Sequence, residues 1–535
     1  MQTLADQIAH YGGFRPAARA LGVPESTLRR RFRNQKTPPK PLPTHAFVPT
    51  ADLMPEPYIG VHGIKSADRS DPTKVKRFIL TSAQNNCQVH AGLLKNLEAL
   101  ATHVAGEIKV SFTLYDKTGY RGILRDQAPS PRAHDIWWDK AVLPYVTNEH
   151  TLLHRRLAFC GELDLLATMR NPLAGFDSYA GRTSLIIPHN TFAMRCVPGR
   201  RHQMPKELYT TGSLTQPNFI QRRSGQLAHF HHILGALLVE VDHDKCWYVH
   251  HLNADKNGDF MWLDCRVSNG RVSPAHQDNV KALVVGDVHN EKLSHPVAEV
   301  SLFSATSPLR ALKPATVILH DLIDFTSRNH HNIDDPLFRQ TPAALHVTIA
   351  SEMMKARTFL NDLRKHMVGP IVIVQSNHDL ALRRWVQRTD WRTDPVNAEF
   401  YLRLAVIAVS RLKDGCKCNL LKEAIDMSGR IEGLVRWLDT DESYEVAGIE
   451  CGMHGDIGPN GSKGSPKNLS RLGFKTFTAH THTPSIVDGC YTVGVLGRLD
   501  MDYNKGPSSW MHAHGIIYAN GKRAFIQIKN GKWRA

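Results

Sequence analysis

KALVVGDVH, residues 281–289, sets an apolar run against Gly286 and follows it with an Asp-x-His pair, Asp287 and His289. A short apolar run closed by glycine is the pattern of a strand buried on both faces. PATVILHDLID (314–324) and GPIVIVQSNHD (369–379) repeat it, the first ending in His320, Asp321 and Asp324, the second in Ser376, Asn377, His378 and Asp379. In an open α/β sheet, ligands gather at the carboxyl ends of the strands, which is where all three clusters are expected. Between the second and third, the stretch 341–367 lacks Gly and Pro after Pro342 and carries Leu345, Ile349, Met353, Leu360 and Leu363. That suits the crossover helix of a βαβ unit.

Two more clusters follow in order: MHGD with His454, and AHTH with His480 and His482. Side chains two apart at a strand end project to the same side, so a His-x-His or Asp-x-His pair can reach one ion. A carboxylate such as Asp321 has two oxygens and can bridge two ions. With 30 histidines in the chain a single Asp-x-His is weak evidence; five clusters in order supply enough oxygen and imidazole for two metal ions.

In kind and order these clusters resemble the calcineurin-like metallophosphoesterase superfamily, whose phosphodiesterase and nuclease branch includes the Mre11-type DNases. The resemblance covers residues 279–535 and implies a four-layer ββ sandwich flanked by helices. It implies that Asp287, His289 and His482 hold a first divalent ion, that Asn377, His454 and His480 hold a second, and that Asp321 bridges them. It makes His378 the non-ligand histidine beside the scissile phosphate, with Asp379 fixing its tautomer, and puts Asp324 behind the ligands. A hydroxide generated between the ions would attack phosphorus in line. Mixed oxygen and nitrogen ligation without cysteine fits Mn²⁺, which the nuclease branch favours, and also Fe or Zn²⁺. The chain departs from the family where glycine is usual: His320, Ser376 and Ala479 stand there instead. His320 is expected to pack behind the ligands, with an extra ligand or a phosphate contact the lesser alternatives.

The whole chain has 535 residues, 42% hydrophobic and 22% charged, enough for two to four domains. It contains no apolar run of membrane-spanning length and no signal peptide, so no membrane partner is expected. Nine scattered cysteines without a CxxC framework suit reduced thiols in a cytoplasm, the host's if the chain is phage-encoded. A net charge of +16 favours a polyanionic partner, DNA. Within residues 1–37, GGFRPAARALGVPESTLRRRFRNQK (12–36) has the organisation of a helix-turn-helix. Ala18 allows close packing, Gly22 the tight turn, and Leu28 docks the second helix. Arg29, Arg30, Arg31 and Arg33 would project toward phosphates. Residues 38–46 are Pro-rich and read as a linker.

Residues 47–278 read as an α/β accessory domain. VKRFILTSAQNN (75–86), a helical stretch from His90 to His103 and EIKVSFTLYD (107–116) suggest strand, helix and strand. Ser82, Gln84, Asn85 and Asn86 suit a cap on that helix or a polar binding loop. His229, His231, His232, His250 and His251 are expected to be surface or packed residues, with a second metal site the lesser alternative. The arrangement, TSAQNN included, is similar to that of early-expressed DNases of T5-like phages that degrade host DNA. Near the end, Asn520-Gly521 between two β-rich runs signals a hairpin. The loop 456–473, with Lys463, Lys467 and Arg471, is either a wall of a phosphate channel or solvated surface.

The function expected is therefore a metal-dependent DNase hydrolysing phosphodiester bonds. Alternatives are a phosphatase or non-DNA phosphodiesterase of the same superfamily, or a helix-turn-helix DNA-binding regulator with a non-catalytic phosphoesterase-like domain. Homo-oligomerisation stays open.

Overall fold

The first three apolar runs form parallel neighbours at the heart of the molecule, Val280–Val284, Thr316–Leu319 and Ile371–Ile373. The computed structural model describes residues 10–29, 65–66, 75–115, 137–201, 203–242, 246–276, 279–329, 332 and 335–535. The chain divides into two units, Met1–Val61 and His62–Ala535.

In the first unit the helix Phe14–Ala20 ends at Leu21 and Gly22, and Gly22 takes φ +64°. Helix resumes over residues 25–29. Ala17, Ala18 and Leu28 are buried together against Phe14 and Val23, the contacts their spacing anticipates. Arg30, Arg31 and Arg33 and the Pro-rich stretch 38–46 lie outside the described residues.

The second unit is a mixed α/β structure. Its six-stranded sheet runs in the order Val435–Trp437, Ile371–Ile373, Thr316–Leu319, Val280–Val284, Ala513–Tyr518 and Arg523–Gln527. The first four strands are parallel and the last two antiparallel. Because both faces are covered, the strands are apolar along their length rather than alternating. Leu283, Val285, Val317, Leu319, Ile371 and Ile373 face the helices Ile349–Arg364, Asp379–Arg388 and Leu420–Met427. Ala282, Val284, Ile318, Val372 and Val374 face the other way, into a core shared with Phe477, Ile486 and Tyr491 of a second sheet. Phe477 is fully buried there, and burial of such a ring stabilises by about 1.5–3 kcal/mol.

The crossover is two helices rather than one. Pro342–His346 is capped by Thr341, the chain extends at Val347 and Thr348, and Thr348 then caps Ile349–Arg364 through Ser351 N at 3.1 Å. Two β-branched residues side by side favour that break.

Residues from the first half of the sequence enter the same core. Lys76–Gln84, the helix Ala91–Val104 and Glu107–Thr113 make the anticipated strand–helix–strand, the two strands parallel. With Gly235–Val241 and Trp247–Asn253 they form a four-stranded sheet, which puts Phe78, Leu80, Leu237 and Val239 on the shared core. The helix is capped by His90, whose Nδ1 accepts from Leu93 N at 3.0 Å, and not by residues 82–86. Ser82 instead donates to Gly212 O and Asn85 accepts from Tyr115 N. Gly258 lies so close that a Cβ would sit 2.3 Å from Leu93 N, which explains the glycine in the turn Lys256–Asp259. The second sheet has eleven strands among the described residues. It joins Met194–Val197 to Ser485–Val487 through Met194 and Ile486, so strands from either side of residue 278 share one sheet.

The hairpin at Asn520-Gly521 is present, with Gly521 at φ +71°. None of the nine cysteines is joined in a disulfide. Among the described residues no helix is long and apolar enough to cross a membrane.

Candidate metal centre

The carboxyl end of the central strand Val280–Val284 meets the end of the second-sheet strand Cys490–Thr492 at two glycines. A Cβ on Gly286 would lie 2.8 Å from the backbone of Gly494, and only two bare backbones can approach so closely. The contact lets Asp287 N donate to Gly494 O at 3.1 Å and Leu496 N donate to Asp287 O at 2.8 Å. Asp287 is thus held from both main-chain sides. His289, Asp321, His480 and His482 all adopt left-handed backbone, with φ of 44°, 44°, 71° and 54°. Such conformations cost on the order of 1–3 kcal/mol each and persist only where the surroundings enforce them.

The side chains so placed meet. One ligand atom each from Asp287, His289, Asp321 and His482 lies within 4.8 Å of the others. His482 Nε2 is 3.2 Å from Asp287 Oδ2 and 2.9 Å from His289 Nε2, and His289 Nε2 is 3.4 Å from Asp321 Oδ2. Next to this set, Asn377 Oδ1 is 3.1 Å from both His454 Nε2 and His480 Nδ1. His454 Nε2 is in turn 3.3 Å from Asp321 Oδ2, so Asp321 stands between the two trios.

The electrostatics of the cluster suit a cation. Burial, then repulsion by Asp321, pushes the Asp287 carboxyl well up. Burial pushes Asp321 the same way, but His454, His378 and His289 overcome it and hold it well below the usual carboxylate range. His454 loses from burial and gains more from Asp321 and Asp287, reaching about 10. Burial, then His454, lowers His480 to about 4; burial, then His289, holds His482 far below its ordinary value. Both oxygens of Asp287 and of Asp321 are buried, and the imidazoles of His289, His454 and His482 are the side chains that face them. Buried carboxylates left in this state are costly unless they coordinate metals. The donor set, oxygen and imidazole without thiolate, fits a hard or borderline divalent cation.

Around the centre the outer contacts differ in part from those expected. Asp324 Oδ1 is 3.2 Å from His289 Nδ1 and 3.7 Å from His378 Nδ1, and His378 Nδ1 also faces Asp324 O at 3.2 Å. Asp324, not Asp379, is therefore the group that orients His378. Asp379 turns away: its Oδ1 accepts from Ile323 N at 3.2 Å and its own N donates to Ser376 Oγ. Burial, then Asp321, raises its carboxyl to about 7. His320 is fully buried beside His454, ring centroids 5.7 Å apart, as a packed neighbour.

Four contributors escape a reading of the motifs. Glu291 accepts from Asp324 N and Phe325 N, pinning the second strand end. Lys292 Nζ lies 3.4 Å from Asp324 Oδ2 and donates to Met501 O. Trp510 packs edge-on to His482 at 4.1 Å, and Tyr503 lies 6.2 Å from His378. Glu291 and Lys292 come just after His289, with Asn290 between, and the acidic–basic pair there was the available signal; nothing local marks Tyr503 or Trp510.

Elsewhere, Arg29 is engaged by Glu25 at 2.9 Å and lies over the Phe14 ring at 4.6 Å while remaining half exposed. Lys463, Lys467 and Arg471 are exposed. His250 pairs with Glu240 and His251 packs among Phe192, Tyr209 and Phe525, so these histidines belong to the core.

Fold and centre together define a mixed α/β protein with a buried aspartate–histidine cluster able to hold a metal ion. The chain belongs to the family of Protein A1 of Escherichia phage T5, to which it is 38% identical over 473 residues, 86% of this chain and 83% of that protein. No protein-family model matches the chain. No solved structure matches it either.

Proposed function

We propose that this protein is a metal-dependent phosphodiesterase acting on DNA, a hydrolase of the metallophosphoesterase type, phage-encoded and directed at host DNA. The observation that carries the reading is Asp321: a fully buried carboxylate standing between one trio of Asp287, His289 and His482 and another of Asn377, His454 and His480. This arrangement supports binding of two divalent cations, with Mn²⁺ the expected ion. Bound there, such cations supply positive charge for the phosphoryl oxygens and acidify an attacking water. The remaining work falls to side chains. His378, partly exposed at the rim, is placed to hold a proton near the leaving oxygen, and Asp324 fixes its orientation. The helix-turn-helix reading of residues 1–37 and the charge of +16 supply the affinity for a polyanion.

The test is incubation of the purified chain with plasmid and linear DNA in Mn²⁺, Mg²⁺ or EDTA. Cleavage is expected with metal and not with EDTA. Asp321→Ala is expected to lose more than the roughly 10–100-fold typical of an outer partner. Sequence-specific DNA binding that survives Asp321→Ala, with no cleavage by the wild type, would favour a regulator instead.

A further inference from the structure

Tyr503 is an aromatic side chain held open beside the centre. The residue is 43% exposed although its hydroxyl donates to Met501 Sδ at 3.1 Å, and the loop that carries it is fastened on several sides. Arg498 N donates to Lys292 O, Lys292 Nζ donates to Met501 O, and Asn504 bonds both Met501 N and Leu499 O. Arg201 grips Asp500 through both carboxylate oxygens. Lys292 Nζ sits 4.9 Å from the Tyr503 ring centroid, and Trp510 meets the ring at 5.9 Å while abutting His482. The anchored, exposed ring lies 6.2 Å from His378, the side chain that the proposed reaction puts beside the leaving oxygen. Rings in such places serve as stacking surfaces for bases, since every base has a π face.

We propose that Tyr503 is a stacking platform for the nucleobase adjoining the scissile phosphate, so that the preferred substrate is a strand whose base is unpaired at the cut. This rests on the phosphodiesterase reading above. A paired base keeps its faces inside the duplex and cannot reach the ring, whereas a single strand or a frayed end can.

Binding of a short fluorescent oligothymidylate and of an abasic strand of equal length and charge decides it, measured by anisotropy on the full chain in EDTA. The wild type is expected to favour the oligothymidylate by about tenfold or more. Tyr503→Ala should remove that preference while binding the abasic strand as before, and Tyr503→Trp and Tyr503→Phe should keep it. No preference in the wild type, or an equal loss on both strands in Tyr503→Ala, overturns the proposal. Hydrolysis of the same strands in Mn²⁺ by wild type and Asp321→Ala tests the underlying reading separately. Absence of cleavage there removes the phosphodiesterase while the binding comparison still decides the platform.

Discussion

Asp324 carries more than its place behind the ligands suggests. One of its oxygens faces Nδ1 of both His289 and His378, and the other is met by Lys292 and Thr326. A carboxylate on the far nitrogen fixes an imidazole's tautomer and raises its strength as a ligand. Asp324→Asn is therefore expected to cost about 10–100-fold in metal affinity or turnover, read by calorimetric titration with Mn²⁺ and by cleavage rate; unchanged affinity and rate would refute that role. His378 and Asp379 are adjacent in sequence but should behave oppositely. His378→Ala is expected to lower kcat by about 10²–10⁴-fold with Mn²⁺ affinity intact. Asp379→Asn should leave kcat nearly unchanged near neutral pH, because burial, then Asp321, has already raised that carboxyl to about 7, and the amide oxygen that replaces it can still accept from Ile323 N. A deep loss of cleavage in Asp379→Asn, with the fold preserved, would restore it to the catalytic role its position first suggested.

At the scale of elements, the centre depends on how closely two strand ends approach. Gly494 is as constrained as Gly286: a Cβ there would sit 2.0 Å from Met511 O, and Gly494 O is the acceptor for Asp287 N. Gly494→Ala must push the strand end away, at a cost of about 1–3 kcal/mol for an overpacked site. The expected result is a lower urea midpoint and weaker Mn²⁺ binding together, and a midpoint loss without any change in Mn²⁺ binding would show that the approach does not set Asp287. The strands themselves were legible because KALVV, ATVIL and PIVIV are short, apolar and stopped by polar groups, and the hairpin because Asn520-Gly521 has one conformational meaning. Asp287, His289, Asp321 and Asn377 were legible from where those strands end, whereas their grouping with His454, His480 and His482 came from the superfamily resemblance. Other features were not legible for physical reasons. The pairing of Met194 with Ile486 links residues nearly three hundred positions apart, and no local pattern records it. Asp324 replaced Asp379 as the partner of His378 because the helix starting at Asp379 turns that carboxylate toward Ile323 N, a matter of direction rather than spacing. The break at Val347–Thr348 shows the same limit, since the 3.6-residue pattern continues through it.

For the whole molecule, the mixture of buried histidines and buried carboxylates makes the acid response a sum of opposing parts. His189 and His232 are lowered by burial to about 4 and His251 to about 3, against an ordinary 6.5. Each stays neutral in the fold while the unfolded chain takes a proton, so the stability these groups permit is complete above 6.5 and is lost as the pH falls toward their folded values. Asp379 and Glu352, raised to about 7 mainly by burial, act the other way: the folded chain holds their protons first, and stability from that source rises as the pH drops from about 7 toward the ordinary carboxylate range. The sign of the wild-type profile is thus not diagnostic, but the difference between two profiles is. His251 is fully enclosed by Phe192, Tyr209 and Phe525, and neither of its ring nitrogens has a hydrogen-bond partner. His251→Leu should therefore be tolerated near pH 7.5 and should lose about 1.4 kcal/mol less than the wild type on acidification by about two units, since one pKa unit is worth about 1.4 kcal/mol and the crossing spans about one unit below 6.5. Urea unfolding at both pH values, in EDTA so that metal binding does not enter, gives the comparison. Parallel profiles for the two proteins would mean that His251 takes its proton without unfolding, and that the shared core between the sheets admits water.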